Sequence, residues 1–187
     1  MSGHSHAKTI KHAKNITDQK RGQVFSKMAK VISLAAKEGG PNPETNNKLR
    51  VAMEQAKEFN LPKENIERAI KQAAGGNEGA NLAEVIFEAY GPGGVAMVIE
   101  GITENKNRTL NEIKQILTQY NGKLVGEGGV QWMFDRKIKK EGSGSLEWVA
   151  KENIEVNEKD KEACQKLFDA LDENEAVQGI YSNMKLS

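Results

Sequence analysis

The spacing of apolar residues changes at Gly75-Gly76, and that change limits the chain to a two-part fold. Before it, apolar residues recur every three or four positions, the period of an amphipathic helix. Beyond it they fall into short runs bounded by Gly, Pro and Asn, the pattern of strands. The charge changes sign at the same place. Residues 1–77 carry fourteen Lys/Arg against seven Asp/Glu, a net +7, and residues 78–187 carry thirteen against nineteen, a net −6, although the whole chain stands at +1. A chain of 187 residues can bury one good core or two small ones. Two breaks at one position favour two: a basic helical domain over 1–77 and an acidic α+β domain over 78–187.

In the basic part, Val24, Met28, Val31 and Ala35 form a stripe on a helix expected from Asp18 to Lys37, ended by Gly39-Gly40-Pro41. Asn42 as cap, with Pro43 at the first helical position, is expected to open a second helix. Its stripe is Leu49, Ala52, Met53, Ala56 and Phe59. Pro62 opens a third, with Ile66, Ala69, Ile70 and Ala73. In the acidic part, Glu84–Tyr90 and Val95–Ile102 read as strands joined by Gly91-Pro92-Gly93-Gly94. Thr109 with Glu112 reads as the capping box of a helix carrying Ile113 and Leu117. Strands near Val130–Phe134 and Leu146–Val149, a helix through Cys164, Leu167, Phe168 and Leu171, and a strand near Val177–Tyr181 complete the chain. From Val95 the order is strand, helix, strand, strand, helix, strand, with one extra strand leading. The expected fold class is α+β: an N-terminal three-helix domain followed by a ferredoxin-like (split βαβ) antiparallel sheet domain.

The first thirty residues hold all three histidines and seven Lys/Arg against one acid, Asp18. Lys8, Lys11 and Lys14 stand at spacing three, with His4, His12, Lys20 and Arg21 on either side and Lys27 and Lys30 further along. Such side chains displace counterions from a nucleic-acid backbone. The alternative is a solvated, unfolded N-terminus. His4, His6 and His12 with Cys164 lack the fixed spacing of a metal site, and Cys164 falls on a core stripe, so neither metal nor cofactor is expected. Gly93 and Gly94 could let a phosphate approach the backbone, although hairpin geometry alone asks for the same residues. Asn105, Asn107 and Arg108, with Lys106 between them, precede the expected cap and form a second candidate contact. Trp132 and Trp148 read as packing residues or as contacts of a further domain, not as base-stacking platforms.

No Ser/His/Asp or Cys/His set, phosphate-binding loop or carboxylate cluster suggests catalysis, so an enzyme is not expected. One cysteine fits a reducing compartment. No apolar run nears the roughly 20 residues of a membrane span. The expectation is a cytoplasmic chain with no membrane and no small-molecule substrate.

Several ordered stretches, Gly3-His4-Ser5, Lys20-Arg21-Gly22, Asn60-Leu61-Pro62-Lys63-Glu64-Asn65-Ile66-Glu67-Arg68-Ala69-Ile70, Tyr90-Gly91-Pro92-Gly93-Gly94-Val95, Asn107-Arg108-Thr109 and Trp132-Met133-Phe134, resemble the YebC family of probable transcriptional regulators. That family includes the mitochondrial translational activator of cytochrome c oxidase. Where it usually has Lys-Trp after Gly-His-Ser, this chain has His6-Ala7. The resemblance implies a third domain inserted where the Gly-Ser segment 142–145 stands, so 78–141 and 146–187 are expected to be two parts of one domain. A naturally short member is the other reading. The resemblance implies a regulator that binds nucleic acid, either ribosomal or transfer RNA on the ribosome or duplex DNA. No helix pair reads as a clear helix-turn-helix junction, which favours RNA.

Overall fold

The computed structural model describes residues 18–76, 81–139 and 145–185. Its helices are α1 (Asp18–Gly39), α2 (Asn47–Glu58), α3 (Lys63–Ala74), α4 (Lys106–Gln119) and α5 (Glu158–Asp172). Its strands are β1 (Ala83–Tyr90), β2 (Ala96–Thr103), β3 (Lys123–Val125), β4 (Phe134–Ile138), β5 (Leu146–Ala150) and β6 (Val177–Ser182). The chain is α+β, with three helices followed by antiparallel sheet.

The helical lobe closes around Ile32, Ala35, Leu49, Ala52, Ala56, Ile66 and Ala69, all buried. Asn46 organises its first corner. The buried amide donates from Nδ2 to the carbonyls of Ala35 at 2.7 Å and Gly40 at 2.8 Å, while Oδ1 accepts from Leu49 N at 3.0 Å. One side chain thus ends α1 and opens α2, and the expected cap at Asn42 is corrected. Asn42 instead accepts from Glu44 N at 2.9 Å within the preceding turn. Gly39 is required by the same arrangement, because a Cβ there would lie 2.6 Å from Asn46 Nδ2. The α2–α3 junction is short: the two helices are separated only by Phe59–Pro62, with Asn60 at φ 58°.

In the second lobe the sheet order is β3-β1-β2-β6, antiparallel throughout. The leading strand β1 is therefore the inner strand, lying between β2 and β3 where a split βαβ unit needs one. One face carries Met97, Ile99 and Ile180 against Ile113, Leu117, Leu167, Phe168 and Leu171 of α4 and α5. The opposite face carries Ala96, Val98 and Tyr181 against Phe134 and Trp148 of a separate β4–β5 ribbon. The strand expected near Val130–Phe134 begins only at Phe134, because residues 128–131 are drawn onto a buried carboxylate.

That carboxylate is Glu88, 2% exposed on the ribbon-facing side of β1. It accepts from the backbone N–H of Gly128 at 2.7 Å, Val130 at 2.7 Å and Gln131 at 2.9 Å, and from Gln131 Nε2 at 2.8 Å. Burial by itself would raise its pKa, but the four donors outweigh burial and hold it below the usual glutamate value. The charged form is thus the native form. Glu88→Gln should cost about 2–4 kcal/mol at neutral pH, since an amide N–H₂ would face backbone donors. A folded-state pKa below the unfolded one gives stability that is complete above the ordinary value and lost as the pH falls through the folded one. Urea unfolding should therefore show a wild-type advantage that holds down to about pH 5 and shrinks below about pH 4.

Candidate nucleic-acid interface

His4, Lys8, Lys11, His12 and Lys14 lie outside the described residues. The segment they belong to leads into α1, whose first turns expose Lys20 and Arg21. From there the helix turns a polar stripe, Gln23, Lys27 and Lys30, at spacings of four and three, onto the C-terminus of α5. Gln23 Nε2 donates to Glu173 O at 2.8 Å. Lys27 Nζ donates to Asp172 O and lies 3.5 Å from Asp172 Oδ1. Lys30 Nζ donates to Glu175 O at 3.1 Å, and Gln178 Nε2 returns a bond to Lys27 O at 3.2 Å.

Lys27 is accordingly corrected from phosphate contact to interior residue, being only 3% exposed. Burial lowers its pKa, partly opposed by the attraction of Asp172. The physical reason lies in α5. That helix has no basic residue in its last turn and ends in Asp172 and Glu173, so its unsatisfied carbonyls and negative dipole end require cations from elsewhere. The uncompensated acidic end is legible in the sequence, and it was the missed signal for Asp172, Glu173 and Glu175. Lys30 is half-buried and serves the same loop.

Asn105, Asn107 and Arg108 arrive at the same end of the molecule. The α4 cap is Asn105, whose side chain accepts from Arg108 N at 3.0 Å, not Thr109 as expected. Thr109 is buried and donates to Thr103 Oγ1 at 2.8 Å. Arg108 is 78% exposed and pairs with Glu112 through Nε at 2.8 Å. That bond and the charge of Glu112 raise the pKa of Arg108, with a smaller contribution from Glu175. Glu112 itself is held low, first by Asn174 at 3.0 Å and then by Arg108. Lys30 and Arg108 therefore flank the loop between α5 and β6.

Gly93 and Gly94 do not join this group. They sit in the β1–β2 turn, at the other end of a pair of eight-residue strands, about 25 Å away. Their φ angles of 69° and 75° account for glycine on geometry alone. A Cβ on Gly93 would lie 3.1 Å from Asp160 Oδ2, so a carboxylate already occupies that side, whereas nothing stands within 4 Å at Gly94. Cys164 is buried and donates to Pro92 O at 3.3 Å; burial, then Asp160, push its thiol up to about 11. The tryptophans divide. Trp148 is packed, with Nε1 on Glu100 at 2.8 Å and Arg136 stacked 4.5 Å from its ring centre, but Trp132 is 64% exposed. No group of three or more His, Cys, Asp or Glu among the described residues could hold a metal ion, and no helix there is long and apolar enough to cross a membrane.

A three-helix lobe joined to an antiparallel sheet lobe, with its cations gathered toward the amino terminus, is the architecture of a known class of gene-expression regulators. The chain matches the TACO1/YebC protein N-terminal domain over residues 5–76 and the TACO1/YebC second and third domain over residues 82–141 and 137–184. It is 38% identical to a probable transcriptional regulatory protein of Caldanaerobacter subterraneus, in an alignment covering 100% of this chain and 99% of that one. A probable transcriptional regulatory protein of Trichlorobacter lovleyi is 52% identical over 73% of this chain and 56% of its own length. The crystal structure of a conserved hypothetical protein from Aquifex aeolicus superposes with a TM-score of 0.85 at 31% identity, covering 96% of each chain. The protein belongs to the TACO1/YebC family.

Lys27→Met keeps the aliphatic stem and removes the cation that caps α5. It should cost about 1–3 kcal/mol in urea unfolding, the lower end reflecting the 40% exposure of Asp172. Amide exchange should accelerate in the first half of α1 and the last turn of α5 while the sheet core stays protected.

Proposed function

We propose that this chain is a nucleic-acid-binding regulator that acts in translation, gripping ribosomal or transfer RNA on the ribosome through its amino-terminal cations. The observation that carries the reading is the crowding of cations at the amino terminus of the sequence, seven Lys/Arg against one acid over the first thirty residues. Of these, Lys27 and Lys30 bond the α5 end of the sheet lobe. Lys8, Lys11, Lys14, Lys20 and Arg21 stand in the sequence near a single acid, Asp18. The exposed first turn of α4, with Asn107 and Arg108, borders the loop that Lys30 bonds. Backbone phosphates are the ligand such a surface suits. Gly94 is a further contact at the far end of the sheet.

The reading as a regulator, not an enzyme, is supported by the names of the relatives. A DNA-binding role in transcription has its own support in those names and in the short α2–α3 junction. Against it, the exposed face of α3 alternates Lys63, Arg68 and Lys71 with Glu64 and Glu67, a poor recognition surface for a polyanionic groove. We read residues 78–141 and 146–187 as one domain, with segment 142–145 standing in place of an inserted one. Two facts support this: the alignment with the Caldanaerobacter relative runs over 240 positions, more than the chain's 187 residues, and the second family description matches in two stretches.

Removing residues 1–17, which leaves α1 whole, should weaken RNA binding at least about tenfold at physiological salt. It should also flatten the dependence of log K on log salt by about 0.7 to 0.9 for each phosphate that is no longer neutralised. Unchanged affinity would overturn the reading. Co-sedimentation with ribosomes that high salt reverses would place the protein in translation, and tight binding of a preferred DNA sequence would favour transcription.

A further inference from the structure

Trp132 combines two properties that rarely meet, a large exposed ring and a rigid mount. The residues around it are rooted in the core: Val130 is 0% and Phe134 4% exposed, while Trp132 between them is 64% exposed. The backbone is a tight turn closed by Met133 N on Val130 O at 2.9 Å. The ring is tied by Nε1 to Gly129 O at 3.2 Å, and Lys151 Nζ donates to Trp132 O at 2.7 Å. Beneath the turn, the carboxylate of Glu88 gathers three backbone N–H groups of residues 128–131. An aromatic plate held this way loses little conformational entropy when something stacks on it.

The surroundings define what stacks. The other large exposed apolar side chains among the described residues are Ile86, Leu110, Ile138 and Leu146, and none belongs to the turn. The plate thus lacks the apolar collar of a protein hot spot. Two exposed cations, Lys137 and Lys151, share one carboxylate, Asp135, at 3.9 Å each. A flat hydrophobic face with a cationic edge suits an unpaired nucleobase with its phosphate alongside. Nor is Trp132 placed to be covered by a domain attached at the ribbon tip. Ile138 and Leu146 pair at that tip, about 13 Å along β4 from its base at Phe134.

We propose that Trp132 is a base-stacking plate for single-stranded RNA, with Lys137 and Lys151 meeting the adjoining phosphate. This rests on the reading of the protein as an RNA binder and adds a second contact, independent of the amino-terminal cations. Because Glu127 and Glu152 are exposed on the flanking loops, the contact is governed by stacking more than by charge.

The test titrates the full chain with a labelled single-stranded oligouridine and oligoadenosine, and with an RNA duplex, at two salt concentrations. Binding is followed by anisotropy and by tryptophan emission, with buried Trp148 as the internal reference. Single strands should quench the emission, and more strongly than the duplex. Trp132→Ala should weaken single-strand binding about five- to hundredfold with its salt slope unchanged, and Trp132→Phe should restore most of the affinity. Circular dichroism should be unaltered in both variants, since the ring is exposed. If wild-type protein binds RNA while Trp132→Ala binds equally well and the emission is unquenched, the plate is refuted and the amino-terminal reading stands. Loss of binding in Trp132→Ala, with none on removal of residues 1–17, would refute the amino-terminal reading and leave the plate. No RNA binding by the wild type would remove both.

Discussion

The contact between one polar stripe of α1 and the C-terminal end of α5 fixes how the two lobes face each other. Burying a lysine is costly, and Lys27 recovers that cost by meeting a main-chain carbonyl and the Asp172 carboxylate at the negative end of a helix. Adhesion comes mainly from beside it, where Leu34 of α1 packs on Leu82 and Ile102 of the sheet lobe, all at most 5% exposed. At about 1.5–3 kcal/mol for each fully buried aliphatic side chain, these three outweigh the exposed Lys48–Glu84 pair, worth at most about 1 kcal/mol. Apolar burial holds the lobes together, and the lysine stripe sets their register. A one-turn slip of α1 would leave Lys27 without a carbonyl and α5 without its cation.

The sheet has a corresponding division between its faces. Its helical side is mostly apolar, with Thr103 and Ser182 as buried polar exceptions, whereas its ribbon side holds two carboxylates, Glu88 buried and Glu100 half-buried. Glu88 is satisfied mostly by backbone N–H groups, and Glu100 by Arg136 and the indole of Trp148. The charge of Glu100, after burial, also pushes the Tyr181 hydroxyl well above its usual pKa. Each carboxylate fixes a segment that has little regular structure of its own. Glu88 shapes the 128–131 turn, and Glu100 seats the ribbon. The exposed Trp132 is a product of this arrangement, because a turn folded around a buried charge cannot also fold its aromatic ring inward.

Much of the architecture was legible because it follows local rules. The three helices, the glycine stop at Gly39-Gly40, the β1–β2 pair and the Cys164 helix follow from periodicity and turn residues. What escaped depends on partners far away in the chain. Glu84, Ile86 and Glu88 alternate as a solvent face should, and only the ribbon, contributed more than forty residues later, buries the last of them. Asn42 with Pro43 is a better local cap than Asn46, yet Asn46 wins because it satisfies α1 and α2 together. Thr109 gave way to Asn105 because its hydroxyl is taken by Thr103. Lys27 looked like its neighbours in a basic run, and its destination lies 145 residues away.

Which cations can meet a phosphate is decided by what each would have to give up. Arg50 with Glu54, Lys63 with Glu67 and Arg108 with Glu112 are exposed pairs one helical turn apart. Such pairs are worth a few tenths of a kcal/mol, so a phosphate can displace the carboxylate at little cost. Lys27 cannot make that exchange without opening the lobe interface. The fold thus divides its positive charge into a structural part, committed to the end of α5, and an exchangeable part. In the sequence, Lys and Arg most outnumber acids toward the amino terminus. In the nucleic-acid-binding reading proposed above, Arg108, which borders the same loop that Lys30 bonds, is an exchangeable cation beside the structural ones.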